Sequence, residues 1–268
     1  MNSRKTDPLY RIKLRHFGIS AFFIVTAIAF VVIFMLFFRI HNIEVENCVY
    51  SSKESVLDST QLKNGTHIYA IDKSDIAAKI MKANPYVSEV HITRKGAQTL
   101  CISVTEDAPR FYIIHNDKYV VLSGKLRVLA EFEFFGEMSS LSVFPISLPT
   151  IEEATIGKTV VFEKESAENG KECIELLSFV EDSDLAGCIT NADLSQRFDL
   201  RFTYKDKYEI RFGAPSKFES KLSLVVDTIK ALEDPLNGYS TAKGIIHASV
   251  TNNSGVAETS FEPTGSIS

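Results

Sequence analysis

The chain has 268 residues, 34 of them acidic and 29 basic, for a net charge of −5, and 45% of its residues are hydrophobic. That hydrophobic content excludes a disordered stalk, and an acidic surface repels nucleic acid and anionic lipid head groups. Four cysteines, Cys48, Cys101, Cys173 and Cys188, are widely spaced with no Cys-x-x-Cys, which argues against metal ligation. Their even number permits two disulfides; free thiols are equally open.

Residues 1–16 form a basic tail with Arg4, Lys5, Arg11, Lys13 and Arg15 against Asp7 alone. Phe17 to Phe38 follow as 22 residues without a charge. At ~1.5 Å per residue this run matches a hydrocarbon core ~30 Å thick, so it reads as a transmembrane helix. The basic flank predicts a cytoplasmic N-terminus and an extracytoplasmic C-terminal part. Ala27-Ile28-Ala29 resembles a signal-peptide cleavage site, but the apolar Phe30–Phe38 follows it. An uncleaved anchor is the better reading. The tail carries +4, so the part beyond residue 38 carries −9.

After the span, Ile43-Glu44-Val45 alternates like a strand. Ser51-Ser52-Lys53-Glu54 reads as a capping box, with Ser51 and Glu54 bonding each other's exposed backbone N–H groups ahead of Val56 and Leu57. Asp72 caps a second helix whose stripe is Ile76, Ile80 and Met81, and Asn84-Pro85 stops it. Two strands follow, one through Val90, Ile92 and Arg94, the next with Leu100, Ile102 and Val104 on one face. Strand, helix, helix, strand, strand is compact as a three-stranded sheet with both helices on one face.

These residues carry a resemblance. Ile43-Glu-Val45, Gly65, Asp72, Pro85-Tyr-Val87, Val90-His-Ile-Thr-Arg94, Thr99 to Glu106 and Pro109 resemble a POTRA domain, and more narrowly the FtsQ/DivIB family of bacterial cell-division proteins. Ala97 departs from the family, which usually has proline before the third strand.

Beyond Arg110, Phe111–Ile114 and Tyr119–Leu122 read as a hairpin around His115-Asn-Asp-Lys118. Ser123-Gly124 and Phe144–Pro149 resemble further family steps, while residues 130–170 are otherwise weakly patterned. Residues 171–180 read as a helix with Ile174, Leu177 and Val180 on one face, followed by a strand through Ile189. Phe198, Leu200, Phe202 and Tyr204 alternate, turn at Lys205-Asp-Lys207, and return as Tyr208, Ile210 and Phe212. Ser216–Glu219 reads as another capping box. Behind it Phe218, Leu222, Val225, Ile229 and Leu232 mark an amphipathic helix of about 17 residues. Tyr208–Gly213 with Lys221-Leu222 resembles a second family signature. A last pair, Ile245–Thr251 and Val256–Phe261, closes around Asn252-Asn-Ser-Gly255.

The expected fold class is α+β: one N-terminal transmembrane helix (17–38), a POTRA-type βααββ domain (39–109), and a mixed, mainly antiparallel β domain with a long amphipathic helix (110–263). Residues 264–268 form a tail that is expected to be disordered. No nucleophile elbow, zinc helix, phosphate loop or dinucleotide fingerprint occurs. The acidic pairs Glu131/Glu133 and Glu152/Glu153 read as solvated faces. No catalytic residue, cofactor, metal or small-molecule substrate is therefore expected.

An anchored, folded chain without a catalytic set reads most economically as a binding protein. Its last strand leaves one row of backbone groups open to a partner strand and holds no guarding lysine. The resemblance implies recruitment of small bitopic divisome proteins of the FtsB/DivIC and FtsL type at the division septum. Aligning Ser254-Gly255 with the family's Ser-Gly turn makes Ser254, Gly255, Val256, Ala257, Glu258, Thr259, Ser260 and Phe261 the candidate partner-binding residues. Phe261 reads equally as closing the core. The alternative function is an extracytoplasmic ligand-binding or sensor/transport accessory ectodomain.

Overall fold

A computed structural model describes residues 8–236, 241–251 and 257–264. Helix α1, Pro8–Phe37, contains the apolar segment Ser20–Phe37, none of it buried in the protein. It is the single candidate transmembrane helix among the described residues. The described chain divides into two units. One includes α1 and extends to Ala83, taking in Glu89–Thr105. The other holds Asn84–Ser88 and the residues from Glu106 onward.

In the first unit, β1 (Asn42–Glu46) is followed by α2 (Lys53–Ser59), α3 (Lys73–Ala83), β2 (Val87–Arg94) and β3 (Thr99–Glu106). The sheet order is β1-β3-β2, with β1 parallel to β3 and Val45 opposite Ile102. Leu100, Ile102 and Val104 are buried, as are Val56, Ile76 and Ile80 on the helices. Asp72 caps α3 as expected: its carboxylate accepts the N–H groups of Ser74 at 2.9 Å and Asp75 at 3.3 Å. The α2 cap lies one residue later than expected. Ser52 Oγ accepts the Ser55 N–H at 3.0 Å, so Ser51 and Glu54 do not form the box.

The second unit is built on nine strands: β4 (Pro109–His115), β5 (Lys118–Ser123), β6 (Val128–Phe132), β7 (Phe144–Ser147), β10 (Ile189–Asp193), β11 (Leu200–Tyr204), β12 (Tyr208–Gly213), β13 (Gly244–Thr251) and β14 (Ala257–Pro263). They form one sheet in the order β14-β13-β12-β11-β10-β7-β4-β5-β6. Three pairings are parallel, β4–β7, β7–β10 and β12–β13; the rest are antiparallel. A separate ribbon joins β8 (Ile151–Glu153) to β9 (Val161–Phe162).

Two helices cover the core. On α4 (Ala167–Glu181), Cys173, Leu176, Leu177 and Val180 are buried, whereas Ile174 is only half-buried. On α5 (Phe218–Glu233) the buried stripe is Phe218, Leu222, Val225, Ile229 and Leu232, the expected set. Its start differs from expectation. Lys217 occupies the cap in a left-handed conformation, φ 52°, with no side-chain cap bond. Ser216 donates its own N–H to Ala214 O, which places its hydroxyl out of register for a box. Phe198 also differs. A turn closed by Asp199 N–H to Gln196 O precedes β11 and leaves Phe198 70% exposed. No disulfide joins any of the four cysteines.

Candidate partner-binding edge

Strand β14 is the end strand of the nine-stranded sheet and hydrogen-bonds β13 on one side. Ile246 stands opposite Phe261 and His247 opposite Ser260. Strands alternate with period two, so β14 has two side-chain faces. One face meets the domain. Thr259 Oγ1 lies 2.7 Å from Thr228 Oγ1 on α5, and the Phe261 ring sits edge-on to buried Tyr208 with centroids 5.9 Å apart. Phe261 thus packs on the core. The opposite face holds Glu258 and Ser260, both exposed, and Glu262, whose carboxylate stands 3.6 Å from His247 Nε2.

The backbone divides the same way. Just past the strand, Thr264 N–H donates to Lys243 O at 2.8 Å. Counting back in twos, even-numbered residues of β14 turn their N–H groups toward β13. The ladder is irregular between His247 and Val250, opposite Ser260 and Glu258, but the extra residue lies on β13, so β14 keeps its alternation and the N–H groups of Ala257 and Thr259 point away from the sheet. Pro263, also odd-numbered, occupies the position where the ladder needs no donor, the place a strand tolerates proline. That proline is the one local signal in the sequence for which row of the strand faces outward. Of the candidate residues, Ser254, Gly255 and Val256, with the Asn252–Gly255 turn, lie outside the described residues. Ala257, Glu258, Thr259, Ser260 and Phe261 lie in β14.

Elsewhere several charged groups of this unit pair with each other. Glu131 takes Lys118 at 3.3 Å, and Arg110 takes Glu181 at 3.2 Å beside a small cleft lined by Phe111, Phe144 and Leu177. Arg197 bridges Glu168 and Glu172 at 3.2 and 2.6 Å. Among the described residues no three His, Cys, Asp or Glu side chains gather where they could hold a metal ion.

Residues 38–107 match the family model for the POTRA domain, FtsQ-type. Over most of its length the chain is also similar to curated relatives. One is the cell division protein DivIB of Clostridium botulinum strain Hall, 24% identical over 241 residues, covering 87% of this chain and 91% of the relative. Another is the DivIB of Clostridium acetobutylicum, 25% identical over 193 residues, covering 72% and 74%. The DivIB of Clostridium tetani matches at 25% over 129 residues, 46% of this chain and 48% of its own. With the apolar helix and the βααββ order, these matches show an FtsQ-type POTRA domain at residues 38–107 in a chain that is similar over most of its length to DivIB cell-division proteins.

Proposed function

We propose that the chain is a non-enzymatic, single-pass scaffold of the bacterial division machinery. Its basic N-terminus stays in the cytoplasm, and its folded units work outside the membrane at the septum. It binds small membrane proteins of the FtsB/DivIC and FtsL type by adding a partner strand to β14. The observation that carries this reading is an end strand with its Ala257 and Thr259 donors turned outward. Strand addition draws its affinity from such main-chain groups.

The test is co-purification of the tagged full chain with the FtsB/DivIC- and FtsL-type proteins of the same organism, expressed together. The Ala257→Pro, Thr259→Pro variant removes two outward donors and leaves the β13 ladder intact. Each lost bond is worth about 1 kcal/mol, so the variant should bind about 10- to 30-fold more weakly. Equal capture by both chains would move the partner to another surface. Failure of the unaltered chain to capture either protein would refute the scaffold reading and favour a ligand-binding ectodomain.

A further inference from the structure

The arginines outside the N-terminal tail divide into two groups. Arg110, Arg127, Arg197, Arg201 and Arg211 each pair with a carboxylate. Arg39 and Arg94 have no ion-pair partner among the described residues. Both belong to one cluster at the end of α1. Ile68 N–H donates to Phe38 O at 2.9 Å and Ile40 N–H to Thr66 O at 2.9 Å, so the backbones of Arg39 and His67 form an isolated antiparallel bridge. Gly65, at φ 88°, makes the turn that lays this segment against the helix end. Tyr69 is thereby stacked on Phe34, centroids 5.9 Å apart, and set edge-on to Phe38 at 5.4 Å. The Arg94 guanidinium lies 4.3 Å from the centre of the Tyr69 ring.

A groove runs down from this cluster, walled by Phe30, Phe34 and Met35 of α1 and by Gly65, His67 and Ala70. Arg39 also lines it, with its Nε donating to Met35 O at 3.3 Å. On the groove wall, His67 Nε2 is shut off from solvent and lacks a hydrogen-bond partner among the described residues. If α1 spans a membrane, its apolar segment ends at Phe37, and the groove opens into the leaflet next to the folded unit. The cluster then stands at head-group depth, where tyrosine partitions and arginine side chains reach for phosphate.

The geometry points to a phospholipid site: a lipid of that leaflet lays one acyl chain in the groove and its phosphate beside Arg39 and Arg94, with Tyr69 seated at the membrane surface. The folded part is acidic overall, yet no carboxylate pairs with Arg39 or Arg94 among the described residues, which leaves both cations available to a phosphate. The site holds the first folded unit against the bilayer at a second point, some 30 residues beyond the anchor in sequence. It rests on reading α1 as membrane-spanning.

The chain contains no tryptophan, so single reporters are clean. The full chain is reconstituted in vesicles of phosphatidylcholine and phosphatidylglycerol, carrying Phe23→Trp or Tyr69→Trp. A third reporter, Ala70→Trp, keeps Tyr69 in place should the tyrosine replacement fail to fold. Phe23→Trp should be quenched by nitroxide placed mid-chain, and the other two by nitroxide near the head group rather than by aqueous iodide. Arg39→Gln with Arg94→Gln should lower the head-group quenching, and excess inorganic phosphate should leave it unchanged. Quenching of the Phe23→Trp reporter alone would overturn the lipid site and leave the anchor standing. No quenching at Phe23→Trp would remove the anchor and the site with it. Indifference to the arginine changes, or competition by free phosphate, would overturn the lipid as occupant.

Discussion

Lys221 is buried on α5 and donates to Phe212 O and Ala214 O, each at 2.8 Å. No carboxylate pairs with it among the described residues, so it serves as a charged clip on the end of β12. Burial lowers its pKa below the usual 10.5, and nearby Lys217 adds to the shift. Below the folded pKa both states hold the proton, and the burial penalty is fully present. Between that value and 10.5 the unfolded chain binds a proton that the folded chain does not, so stability rises with pH through that window. Lys221→Met should cost about 2 kcal/mol by leaving two carbonyls unmet. In urea unfolding the parent should gain on the variant as pH approaches 10.5; a parallel pH profile would disprove the assignment. Cys173 obeys the same logic. Burial, helped by Glu172, pushes its thiol up to about 12. Iodoacetamide at mildly alkaline pH should modify it only once the chain unfolds, as mass spectrometry of digests would show, because the thiolate is the reactive form.

At the scale of elements, two contacts can be tested directly. Gly170 on α4 lies so close to the Phe162 ring of β9 that a Cβ there would overlap it. Gly170→Ala should therefore destabilise by about 1–3 kcal/mol despite alanine's better helix propensity. Phe162→Leu should recover part of that loss in a double-mutant cycle. The β4–β5 turn places Asn116 and Asp117 at φ 50° and 60°, the pattern of a type I′ hairpin. Asp117→Gly should raise thermal stability by about 0.5–1 kcal/mol. Elements with a local period are the ones the sequence shows. The α5 stripe and the β11–β12 alternation are examples, since each buries one face. The α2 cap slips by a residue because adjacent serines offer alternative hydroxyls. β7 has four residues and pairs in parallel with β4 and β10, distant in sequence, so no local pattern marks it. The candidate strand β14 is visible as alternation; its outward row follows only from the Thr264 bond and Pro263.

Each of the two units buries apolar residues of its own. Leu100, Ile102, Ile76 and Ile80 are buried in the first unit; in the second, Phe202, Tyr208, Ile210 and Phe212 are buried with the stripe of α5. A domain unfolds cooperatively because its own buried contacts are mutually dependent, so a cavity is felt first by the unit that contains it. Both Ile80 and Ile229 are almost fully buried, at 0% and 3% exposure. Truncation of either to alanine should cost about 2–5 kcal/mol. In urea unfolding of the full chain in detergent, followed by hydrogen exchange, Ile80→Ala should lower protection across Asn42–Glu46 and Thr99–Glu106 and spare the nine-stranded sheet. Ile229→Ala should do the reverse. If each variant lowered protection equally in both, the chain would be one cooperative unit, and a partner strand added at β14 would stabilise the POTRA domain as well. Separate responses would confine the effect of strand addition to the sheet that receives it.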